Sequence, residues 1–278
     1  MKIDSTVQLL HGLELDGVRH CEALVRDLTG HEEALLDAPH MPAVVVSSLI
    51  SSAVRRIGDI APITPELAAR LTVGDRERLI LAMSIMTFGD QVDLVAHCPN
   101  VACGEAADVN VRLSDFLGLD HRIPESHKHL ELKGTTGEWS IRVRPLTGSD
   151  QETIYGDANT TARKLVLVGV EQIKNPDGKI VQADDLPPEF ESELSIALSS
   201  FDAAAESVSV MQCPSCDSTM EVLLDGFTVL RSSLTGSLSR EVYRMARSYH
   251  WSESEILELP IQRRKHYLAI AESMESGA

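Results

Sequence analysis

Aromatic residues are scarce in this chain of 278 residues, only 4% of the total, so its cores must rest on Leu, Val, Ile, Ala and Met, which supply most of an apolar fraction of 43%. No stretch approaches the run of about 18 apolar residues that a membrane-spanning helix requires, and no membrane span is expected. The opening MKIDSTVQLL lacks the basic-then-apolar layout of a secretory signal, which makes the cytoplasm the expected location. Basic residues are few as well, 25 Lys and Arg against 42 Asp and Glu, for a formal net charge of −17. Such a surface repels phosphate backbones, whereas nucleic-acid binding leaves a basic stripe or patch, so nucleic acid is not an expected partner. The acidic excess is spread without a long run and reads as a solubility feature.

Catalytic signatures are also missing. There is no H-E-x-x-H, no G-x-S-x-G and no G-x-x-x-x-G-K-[ST]. The nearest decoy is the zinc-deaminase pattern, H-x-E followed by P-C-x-x-C, half matched by His20-Cys21-Glu22. It fails because Gln212, not proline, precedes Cys213, and because the two fragments lie far apart. His31 beside Glu32 and Glu33, and the group His121, His127 and His129, read as exposed polar residues. No enzyme is expected, and no residue is assigned a catalytic role.

What is present is a motif written twice. Residues 26–30 read Arg-Asp-Leu-Thr-Gly and residues 144–148 read Arg-Pro-Leu-Thr-Gly, each after strand-like alternation and before polar residues that open a helix. Nearly the same length of chain then leads to a cysteine pair, a short strand and a Phe, CPNVACGEAADVNVRLSDF at 98–116 and CPSCDSTMEVLLDGF at 213–227. Features recurring in order at nearly constant spacing predict an internal duplication. The expected fold is α+β: two tandem copies of a strand, helix and zinc-knuckle unit, residues 1–120 and 121–230, joined through a zinc-ribbon-like site and followed by a helical tail, 231–278.

Within the first copy, GVRHCEALVRDL (17–28) predicts a strand with Val18, Leu24 and Leu28 turned inward. The run VVVSSLISSAVRRIG (44–58) predicts a helix with Val45, Leu49, Val54 and Ile57 on one face and Gly58 as its stop. A second helix is expected from Thr72, where Thr72-Val-Gly-Asp75 approximates a capping box and Leu79, Met83 and Met86 line one face. In the second copy EWSIRVRPL (138–146) predicts a strand with Ile141 and Val143 inward, while KLVLVGVEQI (164–173) fits helix or strand. Asn175-Pro-Asp-Gly178 predicts a turn. Phe190, Leu194, Ala197, Leu198 and Phe201 form a helical core stripe. Residues 121–137 predict a linker with an exposed strand, and RSSLTGSLS after residue 230 a flexible link.

Two cysteine pairs, Cys98-x4-Cys103 and Cys213-x2-Cys216, are expected in a reducing compartment, where a close thiol pair is more often a metal clamp than a disulfide. Short spacing lets two thiolates of one turn face one ion, and Pro, Asn and Gly permit that turn. Two turns supply the closed tetrahedral set of a structural Zn2+ site with no position left for a reacting water. The remaining Cys21 lies in a strand-like run and is expected as a small apolar residue. The alternative to a structural subunit is a zinc-ribbon nucleic-acid-binding regulator, but the strands after the knuckles carry Arg112 as their one base.

The tail predicts helices at SREVYRMARSYH, at EILEL behind the capping box Ser252-Glu-Ser-Glu255, and at IQRRKHYLAIAESM. Tyr249, Trp251, Ile256, Leu257, Arg263, Arg264 and Tyr267 are its candidate partner-binding residues. The run YHWSESEILELPIQRRKHYLAI (249–270), the block LTVGDRERLILAMSIMTFGDQVDLVAHCPNVAC (71–103) and the two Leu-Thr-Gly segments resemble the baseplate-hub and tail-assembly proteins of contractile-tailed phages and contractile injection systems. One departure is the wider C-x4-C of the first knuckle. The resemblance implies a non-enzymatic structural or chaperone-like component that binds other baseplate, hub or tail-tube proteins. It also implies assembly in the cytoplasm, and leaves open both retention in the tail-like particle and action only as an assembly chaperone.

Overall fold

The computed structural model describes residues 4–37, 41–117, 125–155, 162–201, 207–234 and 236–276. Its class is mixed α+β, as the sequence predicts.

The described residues start with a long strand β1 (Asp4–Leu15), which is not among the elements expected from sequence, and the chain turns through Asp16-Gly17 into β2 (Val18–Arg26). Both turn residues have positive φ, 51° and 77°, the backbone that a two-residue hairpin of right-handed twist needs. Helices α1 (Gly30–Asp37) and α2 (Pro42–Ala53) follow, and β3 (Val54–Ile57) completes a three-stranded antiparallel sheet in the order β1-β2-β3. Then come α3 (Pro65–Arg70), α4 (Val73–Phe88), the hairpin β4 (Gln91–His97) and β5 (Ala106–Arg112), and a 3-10 turn at Leu113–Phe116.

The second half has β6 (Lys128–Gly134), β7 (Gly137–Val143), α5 (Gly148–Tyr155), α6 (Ala162–Leu167), β8 (Val170–Lys174) and β9 (Ile180–Val181). These strands form one antiparallel sheet in chain order. Helix α7 (Glu191–Ser199), the hairpin β10 (Ser207–Gln212) and β11 (Thr219–Leu224), and α8 (Gly226–Ser232) complete it. The tail is α9 (Leu238–Tyr249), α10 (Glu253–Leu257) and α11 (Ile261–Ser276). Among the described residues no helix is long and apolar enough to cross a membrane.

Three expectations are corrected. The helix from residue 44 ends at Ala53, and Val54 and Ile57, placed on its face, belong instead to β3; β-branched side chains fit the sheet edge as well as a helix stripe. Gly58 is therefore a turn after a strand, with φ 55°. Of the inward candidates Val18, Leu24 and Leu28, only Leu28 is fully buried; Val18 is 55% exposed and Leu24 half-buried, and within β2 it is Ala23 and Val25 that fill the core. The ambiguous run 164–173 is helix and then strand, α6 passing into β8. The strand predicted at 138–146 is β7, which ends three residues earlier at Val143; the Asn175–Gly178 turn and the core stripe from Phe190 to Phe201 are found as read, with Ile141, Val143 and Leu194 fully buried. The expected linker 121–137 lies partly outside the described residues, and its described part includes β6 and the turn into β7.

The two Leu-Thr-Gly turns are built from the same bonds. Arg26 donates to both carboxylate oxygens of Glu32 (2.7 and 3.1 Å), to Asp27 O and to Ser52 O. Arg144 donates to both oxygens of Asp150 (2.6 and 2.9 Å), to Pro145 O and to Val168 O. In each turn the threonine, Thr29 or Thr147, gives its N–H and hydroxyl to that same carboxylate. Burial alone would raise Glu32, but Arg26, Ser52 and Thr29 hold it at about 2; Asp150 is likewise lowered, by Arg144 and Thr147. The strand pairings agree too: β2 against β3 slips one residue after Leu24, and β7 against β8 slips one residue after Arg142.

Core one joins β1–β3, α2 and α4, and it also takes in Leu230 of α8 and the fully buried Ile261 of the tail. A second core lies under β6–β9 and α7. Where α8 meets α4, the Glu77 carboxylate accepts the Gly226 N–H at 2.5 Å. Burial pushes Glu77 up to about 7; Asp225 adds to the rise and the Gly226 N–H opposes it. A carboxyl raised in the folded state gives stability that is full below its unfolded value, 4.5, and is lost as pH rises through 7. Glu77→Gln keeps an acceptor oxygen without the charge, and urea titration should find it more stable than the parent by about 1–3 kcal/mol in mild alkali, with no gain below the unfolded value.

Candidate metal centre

Each cysteine pair sits at the open end of a two-stranded hairpin. The β4–β5 ladder is unbroken from Gln91 opposite Arg112 to His97 opposite Ala106, and Cys98 extends it by donating its N–H to Glu105 O at 2.8 Å. The β10–β11 ladder ends at Gln212 opposite Thr219, and Cys213 extends it by the same bond to Ser218 O, 2.8 Å. Beyond these rungs the turns differ. In the wider one Asn100 O accepts the N–H groups of Cys103 and Gly104, both 2.9 Å, Asn100 Oδ1 accepts the Ala102 N–H, and Gly104 takes φ 58°. In the tighter one Asp217 donates to Cys213 O and has φ 57°, a conformation that Asp tolerates better than most residues. The Asn100 bonds fold the extra residues of C-x4-C back, so that Cys103 approaches as closely as Cys216.

The hairpins pack face to face over Ala96, Ala107, Met220 and Val222, with Cys98 and Cys213 in the same buried cluster. Cys98 Sγ lies 3.6 Å from Cys216 Sγ, and Cys103 Sγ 3.9 Å from Cys213 Sγ. All four sulfurs fall within 4.8 Å of one another, and all are free thiols. A disulfide would bring two of them to about 2 Å. Four sulfurs around one ion with metal–sulfur bonds of about 2.3 Å stand about 3.8 Å apart in a tetrahedron, which these separations match. The four cysteines expected to share an ion therefore do converge, and they could hold a metal ion.

The electrostatics suit a cation. The Ser218 hydroxyl and N–H lower Cys216 to about 6, so it carries the first negative charge of the group. Burial pushes Cys98 up to about 12, against the Asn100 N–H and with its thiol neighbours. Cys103, drawn down by the Glu105 N–H, is held up on balance by burial and by Cys216 and Cys213. Four thiolates in so small a volume repel one another unless a divalent ion sits among them.

The charged side chains on the two hairpins are Asp93, Glu105, Asp108, Asp217 and Glu221, with Arg112 the single base, and all of them are exposed.

The tail residues singled out from sequence lie elsewhere. Tyr249 stacks on Trp251 with ring centres 5.0 Å apart, Trp251 meets Tyr267 edge-on at 5.2 Å, and the Tyr249 hydroxyl donates to Tyr267 O at 2.9 Å. Ile256 is fully buried with Met245 and Leu268 in the tail's own core. Arg264 is fully buried too, bonded to Glu33 of α1 and, at 2.9 Å through Nε, to Glu241 of α9. Ile256 and Arg264 are thus covered by this chain itself; Arg263 is exposed and lies over the Tyr267 ring.

Of the histidines set aside, His127 pairs with Glu171 at 2.8 Å and His121 lies outside the described residues. Cys21 is half-buried beside Gly12. Sequence reading missed the paired functions of Arg26 and Arg144; their recurrence four residues before Gly30 and Gly148 was the available signal.

In comparison with known proteins, the family described as T4 bacteriophage base plate protein matches residues 45–229. That span runs from within α2 to within α8 and includes both cysteine turns, the second Leu-Thr-Gly turn and both cores' central helices. No curated protein and no solved structure shows significant similarity to the chain.

Proposed function

Because the chain belongs to the T4 bacteriophage base plate protein family, its role is a structural one connected with the phage base plate, and we propose that it acts there without catalysis, as a chaperone-like subunit of contractile-tail or contractile-injection assembly. The carrying observation is the convergence of four sulfurs from hairpins at the ends of the two halves. We assign the ion as Zn2+: an all-thiolate tetrahedral set is the donor chemistry of structural zinc, and it leaves no open position for a reacting water. The ion's task is to clamp one half to the other.

The matching bonds around Arg26 and Arg144 and the matching register slips support a duplicated unit, residues 1–120 and 121–230, with 231–278 as the helical addition. The acidic hairpin faces favour protein partners over nucleic acid, which speaks against a nucleic-acid-binding regulator. We place partner contact on the outer edge of the tail, where Arg263 is exposed over Tyr267 and the Tyr267 ring packs with Tyr249 and Trp251, whereas Leu257 lies against Gly30 in the joint with the body. The partners are other baseplate, hub or tail-tube proteins, met in the cytoplasm during assembly.

The test is co-expression of the tagged chain with each hub, base plate and tube protein of its own particle. The wild-type chain should retain at least one of them and Arg263→Glu should retain it about tenfold less, since a rim charge reversal weakens association without unfolding. Recovery of the wild-type chain alone from every mixture would refute the partner-binding role.

A further inference from the structure

The joint that seats the tail occurs a second time in the molecule. In one instance α3 passes through Leu71-Thr72 into α4: Val73 donates its N–H to Leu146 O at 2.9 Å, Gly148 donates to Leu71 O at 3.0 Å, and Thr72 pairs with Thr147. Arg76, the fourth residue of α4, is buried beneath this turn and donates to Ala43 O, Ala68 O and Ser47 Oγ. In the other, α10 passes through Glu258-Leu259-Pro260, one residue longer, into α11: Ile261 donates to Leu28 O at 3.0 Å and Pro260 pairs with Thr29. Arg264, the fourth residue of α11, is buried beneath that turn. A methyl on Gly148 would overlap the Arg76 guanidinium, and one on Gly30 would overlap Leu257 and Arg264. Even the short helices start alike, α3 capped by the Thr64 hydroxyl and α10 by that of Ser252.

The chain thus carries two plugs, each a short helix, a Leu and an arginine-bearing helix, and two sockets, Leu28-Thr29-Gly30 and Leu146-Thr147-Gly148. Connectivity separates them. The first plug is continuous with core one and reaches forward to the following socket. The second belongs to a tail with its own core of Met245, Ile256 and Leu268, joined to the body through residues 233–237, where Gly236 has φ 109°. It turns back to a socket more than 200 residues earlier, at Leu28.

A folded plug on a short tether, seated by the Leu28-Thr29-Gly30 turn, by Ile261 in core one and by the buried Arg264–Glu33 pair, meets the same socket, the same core and the same carboxylate on an identical chain. We propose that the tail exchanges between copies, α10 and α11 of one chain seating on Leu28-Thr29-Gly30 of a second copy, so that the protein self-associates by swapping residues 237–276. This goes beyond the base plate reading and does not depend on it.

The test uses two full-length, zinc-loaded chains of different mass, one with Thr29→Cys and the other with Pro260→Cys. These positions face each other across the joint, so a disulfide between the two chains requires the tail of one on the socket of the other. After mixing and mild oxidation the mixed dimer should exceed either like-with-like dimer by about tenfold, and its share should rise with protein concentration as an intermolecular pairing does. A mixed dimer no more abundant than the like-with-like dimers at any concentration overturns the exchange. A single chain bearing both substitutions serves as the folding control: closure on itself shows that the joint tolerates them, and failure to close on itself or on a neighbour overturns the joint as described.

Discussion

Cys213→Ser is expected to cost the chain its metal ion and to unfold both cysteine hairpins while the two larger cores stay folded. Cys213 is fully buried, and the cluster around it holds only Ala96, Cys98, Ala107, Met220 and Val222 as further buried members. A two-stranded hairpin is marginal in water by itself, and two of them with so small a common core need another source of stability. Structural zinc contributes about 10 kcal/mol or more in small sites, comparable with the whole stability of a domain at about 5–15 kcal/mol. A serine hydroxyl does not ionise in the range where Cys216, at about 6, already does. Three sulfurs and a hydroxyl should therefore bind far more weakly. Amide exchange should accelerate across β4, β5, β10 and β11 and stay slow in β2 and β7, and zinc analysis should fall from one ion per chain to none. Acid should act in the same way, because protons compete with the ion for thiolates. A wild-type chain that is free of metal and equally protected would remove the clamp.

The cysteines were legible because two thiols a few residues apart meet by local geometry alone. That the two turns meet each other was suggested by their matching positions in the chain, and the hairpins had to pack to bring it about. The same limit explains the misses. In β1 the period of two is carried by Val7, Leu9, His11 and Leu13, but His11 disguises the buried face and Gly12 looks like a turn. The helix of residues 44–58 was read too long because Val54 and Ile57 continue its apolar spacing, and the change to strand depends on pairing with β2. Arg264 sits in Arg263-Arg264-Lys265, a run that reads as solvated; its burial depends on Glu33, far away in sequence. Long-range partners of charged groups leave no mark in local spacing, whereas the Phe190 to Phe201 stripe, set by α7 and the turns that flank it, was readable from spacing alone.

Asp75→Ala should cause the largest loss of stability of any single substitution away from the metal centre. The sequence places Asp75 in a capping box, and the Thr72 hydroxyl does accept its N–H at 3.3 Å. Its carboxylate, however, turns to β1 and accepts the N–H groups of Leu10, His11 and Gly12 at 2.6, 2.9 and 2.7 Å. These residues lie where the β1–β2 ladder slips between Gln8 and Leu13, so β2 does not pair with them. Asp75 is fully buried, and Arg78 Nη1, also buried, lies 3.7 Å from it. Alanine would leave three donors without their acceptor beneath a fully or partly buried stretch of β1, at about 1–3 kcal/mol each, for a total of about 3–9 kcal/mol. Asparagine, with one acceptor oxygen, should lose about half of that. Asp90 is the control: its carboxylate accepts the Ser114 N–H and hydroxyl at the surface, where water replaces a lost acceptor, so Asp90→Ala should change little. Denaturant midpoints for the three variants decide the matter. If Asp75→Ala unfolded at the midpoint of Asp90→Ala, the bulge in β1 would have to be held by something other than this carboxylate.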